Sequence, residues 1–185
     1  MRVISGKYGS RVLLTLSGDD ITRPTLDKVK GAVFSSIGPY FEEDDSFLDI
    51  FSGCGAIGIE AISRGCNNVV MNDANKRAYL TIQDNLNNLK ISNVELYNLD
   101  YQLLLNQLIG RKFNYIYVDP PYDMKIIDEI LSFIDNNDIL ASNGTIIVES
   151  DIKDKFEDKY NNFKYKRDKE YRLTRITYYK GEKHD

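Results

Sequence analysis

The chain is 185 residues long, 42% apolar and 28% charged, with 24 Lys/Arg against 28 Asp/Glu and a net charge of −4. That is long enough for one domain burying about 70% of its unfolded surface. No apolar run reaches the roughly 20 residues of a membrane span, and Met1-Arg2-Val3-Ile4-Ser5-Gly6 has no signal-peptide core. Cys54 and Cys66 make neither a zinc pattern nor a disulfide framework, so a reduced cytoplasmic setting is expected. The single histidine, His184, stands beside the last residue, which excludes a histidine triad or a histidine-based metal centre. Charge is unevenly spread: residues 1–41 and 151–185 each carry +3, and residues 42–150 carry −10. Basic flanks on an acidic centre suit a polyanion bound at one edge, or are ordinary surface scatter.

In chain order, the first 16 residues alternate loosely around Gly6 and Gly9 and read as a short hairpin. Thr22-Arg23-Pro24-Thr25 introduces a helix with Leu26, Val29, Val33, Phe34 and Ile37 at helical spacing, stopped by Gly38-Pro39. This hairpin and helix form an N-terminal extension, residues 1–41, ahead of a main domain, 42–185. Strands and helices then alternate. Strands are expected at 46–51, 68–71, 94–97, 113–118 and 145–149. Helices are expected at 56–63, 75–89 and 101–109 and through Ile126–Ile134, with a short one over Lys153–Tyr160. Phe163–Tyr165 and Leu173–Tyr179 read as two closing strands. Such alternation predicts a mostly parallel sheet covered by helices on both faces.

Asp49-Ile50-Phe51-Ser52-Gly53-Cys54-Gly55-Ala56-Ile57-Gly58 places Gly-x-Gly-x-x-Gly between the first core strand and its helix. Open α/β sheets bind ligands at the carboxyl ends of their strands, where glycines let backbone approach a ligand. Alone, the run fits NAD, FAD or S-adenosylmethionine. Asp73, ending the second strand, can accept from two ribose hydroxyls, and Asp100, after the third, can receive an adenine amino group. Asp49 decides between the cofactors: a carboxylate in this turn repels a pyrophosphate but attracts an ammonium and tolerates a sulfonium. The run therefore favours S-adenosylmethionine over NAD, with Asp49, Phe51, Gly53, Gly55, Asp73 and Asp100 as its candidate ligands.

Asn114–Val118 runs into Asp119-Pro120-Pro121-Tyr122. Two prolines cannot extend the ladder, so the turn is stiff and presents Asp119 outward. An amino group conjugated to a nucleobase is a poor nucleophile. Two acceptors, the Asp119 carboxylate and the Pro120 carbonyl, can hold its N–H bonds and make the nitrogen more tetrahedral. Tyr122 can stack on the base, a contact worth about 1–3 kcal/mol, and a paired target must first leave its stack. Asp119, Pro120 and Tyr122 are the candidate catalytic residues, with Pro121 beside the substrate.

These residues make the chain resemble the RsmD family of bacterial 16S rRNA guanine-N2 methyltransferases. The likeness includes Ile4-Ser5-Gly6-Lys7-Tyr8, then Arg23-Pro24-Thr25 with Asp27, Lys28, Val29, Lys30 and Phe34, then Leu48–Gly53, Gly58-Ile59-Glu60-Ala61 and Ser63-Arg64-Gly65. It is most specific at Asp119-Pro120-Pro121-Tyr122. The resemblance implies a seven-stranded Rossmann-like fold and S-adenosylmethionine as donor. It implies a 16S rRNA guanine N2 as acceptor, within an assembling or assembled small subunit, and it puts Arg23 and Thr25 near the site mouth. A monomer is expected, with no metal and no membrane. Cys54 departs harmlessly from the family pattern, whereas Arg172 stands where the family often has glycine.

Competing readings are an amino methyltransferase on adenine N6 or cytosine N4 of DNA or RNA, a non-catalytic rRNA-binding assembly factor, and a redox enzyme. The first usually needs a target-recognition region, for which 185 residues leave little room. The second is expected to have lost Asp119 or the glycine loop, and the third predicts neither Asp49 nor the tetrapeptide. Glu149, ending a strand, suits a structural hydrogen bond better than a substrate contact. Lys164, Lys166, Arg167 and Lys169 fit phosphate contact or a solvated edge.

Overall fold

A computed structural model describes residues 1–16, 23–121 and 124–183, leaving aside the side chains of residues 23–26 and 124. In order the elements are α1 (Arg23–Ile37), β1 (Ser46–Asp49), α2 (Ala56–Ser63), β2 (Asn68–Asn72), α3 (Lys76–Leu89), β3 (Val94–Tyr97) and α4 (Tyr101–Gln107). Then come β4 (Phe113–Val118), α5 (Met124–Asn136), β5 (Leu140–Asp151), β6 (Phe163–Tyr171) and β7 (Thr174–Gly181). Seven strands form one sheet in the order β3-β2-β1-β4-β5-β7-β6. The pairs β1–β2, β2–β3 and β4–β5 are parallel, and β5–β7 and β6–β7 antiparallel. The expected seven-stranded Rossmann-like α/β fold is present. Its two compact units are residues 1–101 and 102–185.

In the first unit, β1 and β2 are nearly continuous apolar runs, with Phe47, Leu48, Val70 and Met71 fully buried, as parallel strands covered on both faces require. Asn75 caps α3 by accepting from the Arg77 and Ala78 amides. The N-terminal hairpin is present: the Val3 amide donates to Arg11 O, the Ser10 amide to Val3 O and the Leu13 amide to Met1 O around an Arg2↔Val12 bridge, and α2 holds the backbone between the two arms. Glu60, fully buried on α2, accepts from the Ile4 amide at 2.8 Å, the Ser5 amide at 3.1 Å and Arg64 Nε at 2.8 Å. Lys30 Nζ, also buried, lies 3.4 Å from its carboxylate. Ser63 O accepts from the Lys7 amide at 2.8 Å. Gly6, at φ +85°, lies so close that a Cβ there would fall 1.8 Å from Ser63 O. The motif pieces Ser5-Gly6-Lys7, Glu60 and Ser63-Arg64 are therefore the two halves of one docking contact.

In the second unit, β4, β5 and β7 bury Ile116, Val118, Ile146, Val148, Ile176 and Tyr178. Lys153–Tyr160 is not a helix. Asp151 accepts from the Lys153 amide, and Asp154 from the Asp151 amide, so short polar side chains hold turns where a helix was expected. The two closing strands are longer than expected and join through Arg172, whose φ of +54° is left-handed. The tight turn requires that conformation.

Candidate functional site

In the first unit the candidate residues gather at the carboxyl ends of β1, β2 and β3. Asp49 closes β1 with 1% of its surface exposed. Its Oδ2 accepts from the Gly58 amide at 3.2 Å, and Oδ1 is buried without a hydrogen-bond partner. Burial pushes its carboxyl up to about 7, against the pull of Ser52 and the Gly58 amide. An unpaired buried acceptor is costly, so this oxygen suits a cationic N–H donor from a ligand.

Asp73 follows β2. Its Oδ2 accepts from the Gly53 amide and its Oδ1 from the Asn75 amide, both at 2.9 Å. The carboxylate is thus held in one orientation, and each oxygen keeps a second lone pair for a diol. Gly53 has φ +56° and open space where a side chain would stand. Gly55 and Gly58 have a packing reason as well: added Cβ atoms would meet Met71 Cε at 2.9 Å and Met71 Cγ and Sδ at 2.7 Å. Phe51 leans on Tyr101, ring centroids 5.8 Å apart, and Asp100 is exposed just before α4.

Sequence reasoning missed the braces. The Ser52 hydroxyl donates to Asp49 O at 3.0 Å and accepts from the Asn72 amide at 3.2 Å. Asn72, buried, donates through Nδ2 to Ile50 O and Leu99 O, and its Oδ1 accepts from the Leu99 amide. One side chain thus ties the glycine turn to the loop after β3. Its signal was an asparagine closing the apolar run Val69-Val70-Met71. Asn85 likewise grips the Leu14 backbone and donates to Cys54 O at 2.9 Å.

In the second unit β4 ends at Val118, and Asp119 is exposed, Pro120 buried and Pro121 exposed immediately past it. The Tyr117 hydroxyl, on a buried side chain, donates to Glu149 Oε2 at 2.5 Å. Burial raises the Glu149 carboxyl and the Tyr117 hydrogen bond, which occupies Oε2, opposes the rise. Within the basic stretch, Lys164 pairs with Glu182 at 3.4 Å and Arg167 covers the Tyr178 ring at 5.0 Å, while Lys166 and Lys169 are exposed. Tyr122 and His184 lie outside the described residues, as do the side chains of Arg23 and Thr25, whose backbone opens α1. Among the described residues no helix is long and apolar enough to cross a membrane.

Comparison with known proteins fits this architecture. The family described as "Conserved hypothetical protein 95" matches residues 1–180. YlbH of Bacillus subtilis is 36% identical over 183 residues, covering 97% of this chain and 98% of that protein. "Ribosomal RNA small subunit methyltransferase D" of Escherichia coli K12 is 30% identical over 153 residues, covering 83% of this chain and 76% of that protein. The solved structure of yhhF from Escherichia coli superposes with a TM-score of 0.86 at 26% identity, covering 100% of this chain and 99% of that one. The chain belongs to this family, the RsmD family.

Proposed function

We propose that this chain transfers a methyl group from S-adenosylmethionine to the exocyclic N2 of a guanine in 16S rRNA, within an assembling or assembled small ribosomal subunit. It acts as a cytoplasmic monomer. The observation that carries the reading is Asp119-Pro120-Pro121 set directly past the buried strand β4 in a member of this family. Asp49 Oδ1, buried and without a donor, supports a cationic amino acid moiety as ligand, and the oriented Asp73 carboxylate supports a ribose diol. Phe51, Gly53, Gly55 and Asp100 complete the donor's contacts.

Bound S-adenosylmethionine supplies a methyl group on a cationic sulfur, which keeps the C–S bonding pair when the methyl leaves. The chain's own part is placement. The Asp119 carboxylate and the Pro120 carbonyl accept the two N–H bonds of the amine, which turns its lone pair out of the ring and toward the methyl carbon. The new N–C bond leaves the nitrogen cationic, and its surplus proton passes to Asp119. Tyr122 and Pro121 pack on the base, and Arg23 and Thr25 hold the RNA at the mouth. The test is to incubate the protein and radiolabelled donor with small subunits or 16S rRNA lacking the modification, then digest to nucleosides. Label in N2-methylguanosine is the expected result. Label in methylated adenine or cytosine, or none while donor binds, would overturn it.

A further inference from the structure

Within the second unit, the β4–β5 ladder runs in parallel register through Tyr117↔Ile147 and Val118↔Val148. One step further come Asp119 and Glu149. Paired residues of a parallel ladder share a sheet face, and alternate residues of a strand share it too. Tyr117, Asp119 and Glu149 therefore occupy one face at the carboxyl end of these strands, and the Tyr117–Glu149 hydrogen bond at 2.5 Å joins two of them across it. Glu149 is half-buried and accepts this hydrogen bond through Oε2. A carboxylate has a second oxygen with its own acceptor capacity.

Guanine's amino edge carries two adjacent kinds of donor, the N2 amino group and the ring N1–H. Adenine's amino edge puts a bare N1 lone pair beside its amino group, and a carboxylate there would meet a lone pair with a lone pair. Resting on the guanine-N2 reading above, we infer that Glu149 is the specificity-determining residue that accepts guanine N1–H while Asp119 holds the neighbouring amino group. Tyr117 is its positioning residue: the hydroxyl keeps the carboxylate oriented, and its hydrogen bond favours the ionised form that can only accept. Burial works against ionisation at this position, and the N1–H bond adds a second donor that offsets it.

The test uses 16S rRNA assembled by splint ligation with guanine or 2-aminopurine at the target position, reconstituted into small subunits. 2-Aminopurine keeps the 2-amino group but has a lone pair at N1. The full-length chain is expected to prefer guanine in kcat/KM by about 10- to 100-fold, the discrimination that one well-made base contact gives. Glu149→Gln, whose amide can donate to a bare N1, is expected to lose about 10- to 100-fold on guanine and to shrink the preference to a few-fold. Tyr117→Phe is expected to shrink the preference in part, with KM moving more than kcat, and reports on Glu149 with a milder change to the fold. Affinity for S-adenosylhomocysteine by calorimetry should stay within a few-fold in both variants, which separates a specificity role from a collapsed structure. An unchanged guanine-to-2-aminopurine ratio in folded Glu149→Gln would overturn the assignment of Glu149 alone. Absence of N2-methylguanosine with the unmodified chain would overturn the functional reading beneath it.

Discussion

At the scale of single residues, the proposed chemistry rests on carboxylates with different surroundings. Asp119 is exposed past β4, where an ionised acceptor costs little and can face an incoming amine. Asp119→Ala is expected to abolish methyl transfer while S-adenosylhomocysteine affinity stays within a few-fold, checked by single-turnover labelling and calorimetry. Loss of binding as well would move Asp119 to the donor pocket. Asp49 is the opposite case, its carboxyl pushed by burial from 3.8 to about 7. The folded chain therefore binds more protons than the unfolded chain between those values. This group's contribution to stability is full below about pH 4 and is lost as pH rises through about 7, a swing of up to about 4 kcal/mol. Asp49→Asn should have little effect on thermal stability near pH 4 and should gain on the unmodified chain as pH approaches about 8. A cationic donor favours the ionised form, so donor affinity of the unmodified chain should rise from about pH 6 to about 8. In Asp49→Asn it should be weak and flat, and equal pH slopes in the two proteins would show that Asp49 does not titrate at this site.

At the scale of elements, the sequence motifs divide into those that present chemistry and those that hold it. Glycines are legible in sequence, but the reason for each is not. Gly53 has open space beside it, whereas Gly58 lets α2 lie on Met71. The same holds for Glu60, which as a bare letter on an amphipathic helix could be a solvated face. In the fold it has no exposure and gathers the Ile4 and Ser5 amides, Arg64 and Lys30. Burial lowers the Lys30 pKa, and the Glu60 and Asp27 carboxylates resist that shift. Removing the carboxylate leaves a buried cation unpaired, so Glu60→Gln is expected to cost about 3–5 kcal/mol in urea unfolding. Its N-terminal residues should also lose amide-exchange protection, since their two acceptors weaken together. A loss under about 1 kcal/mol would mean that the contact contributes no more than a surface ion pair does.

At the scale of the whole molecule, charge and fold point to how the substrate is met. The chain carries −4 overall, with its excess of Lys/Arg confined to the two ends. Two of the four basic side chains on β6 are engaged, Lys164 with Glu182 and Arg167 with Tyr178. Affinity for RNA from phosphate neutralisation alone is then modest. Naked 16S rRNA should bind weakly with a shallow salt dependence, and small subunits should be methylated faster than naked 16S rRNA at equal concentration. Filter binding across a salt series and initial rates on both substrates check this, and a preference for naked rRNA would count against a subunit substrate.

Local chemistry was readable along the chain because each signal lies within a few neighbouring residues. The alternation of strands and helices, the glycine loop, the stiff Asp119-Pro120-Pro121 turn and the order Asp49, Asp73, Asp100 at successive strand ends all appear in linear sequence. Strand lengths and turn geometry were decided by pairing across distance. β5 runs from Leu140 to Asp151 rather than over five residues, alongside β4 on one side and β7 on the other. The Lys153–Tyr160 segment lost its helix to turns in which the Asp151 and Asp154 side chains accept from the Lys153 and Asp151 amides. Ile50 bonded to Asn72, Ile4 bonded to Glu60 and Tyr117 bonded to Glu149 lie 22, 56 and 32 residues from those side chains in the chain. Only tertiary structure could say which oxygen of Asp49 is left over, because that depends on how many donors the folded backbone brings to it.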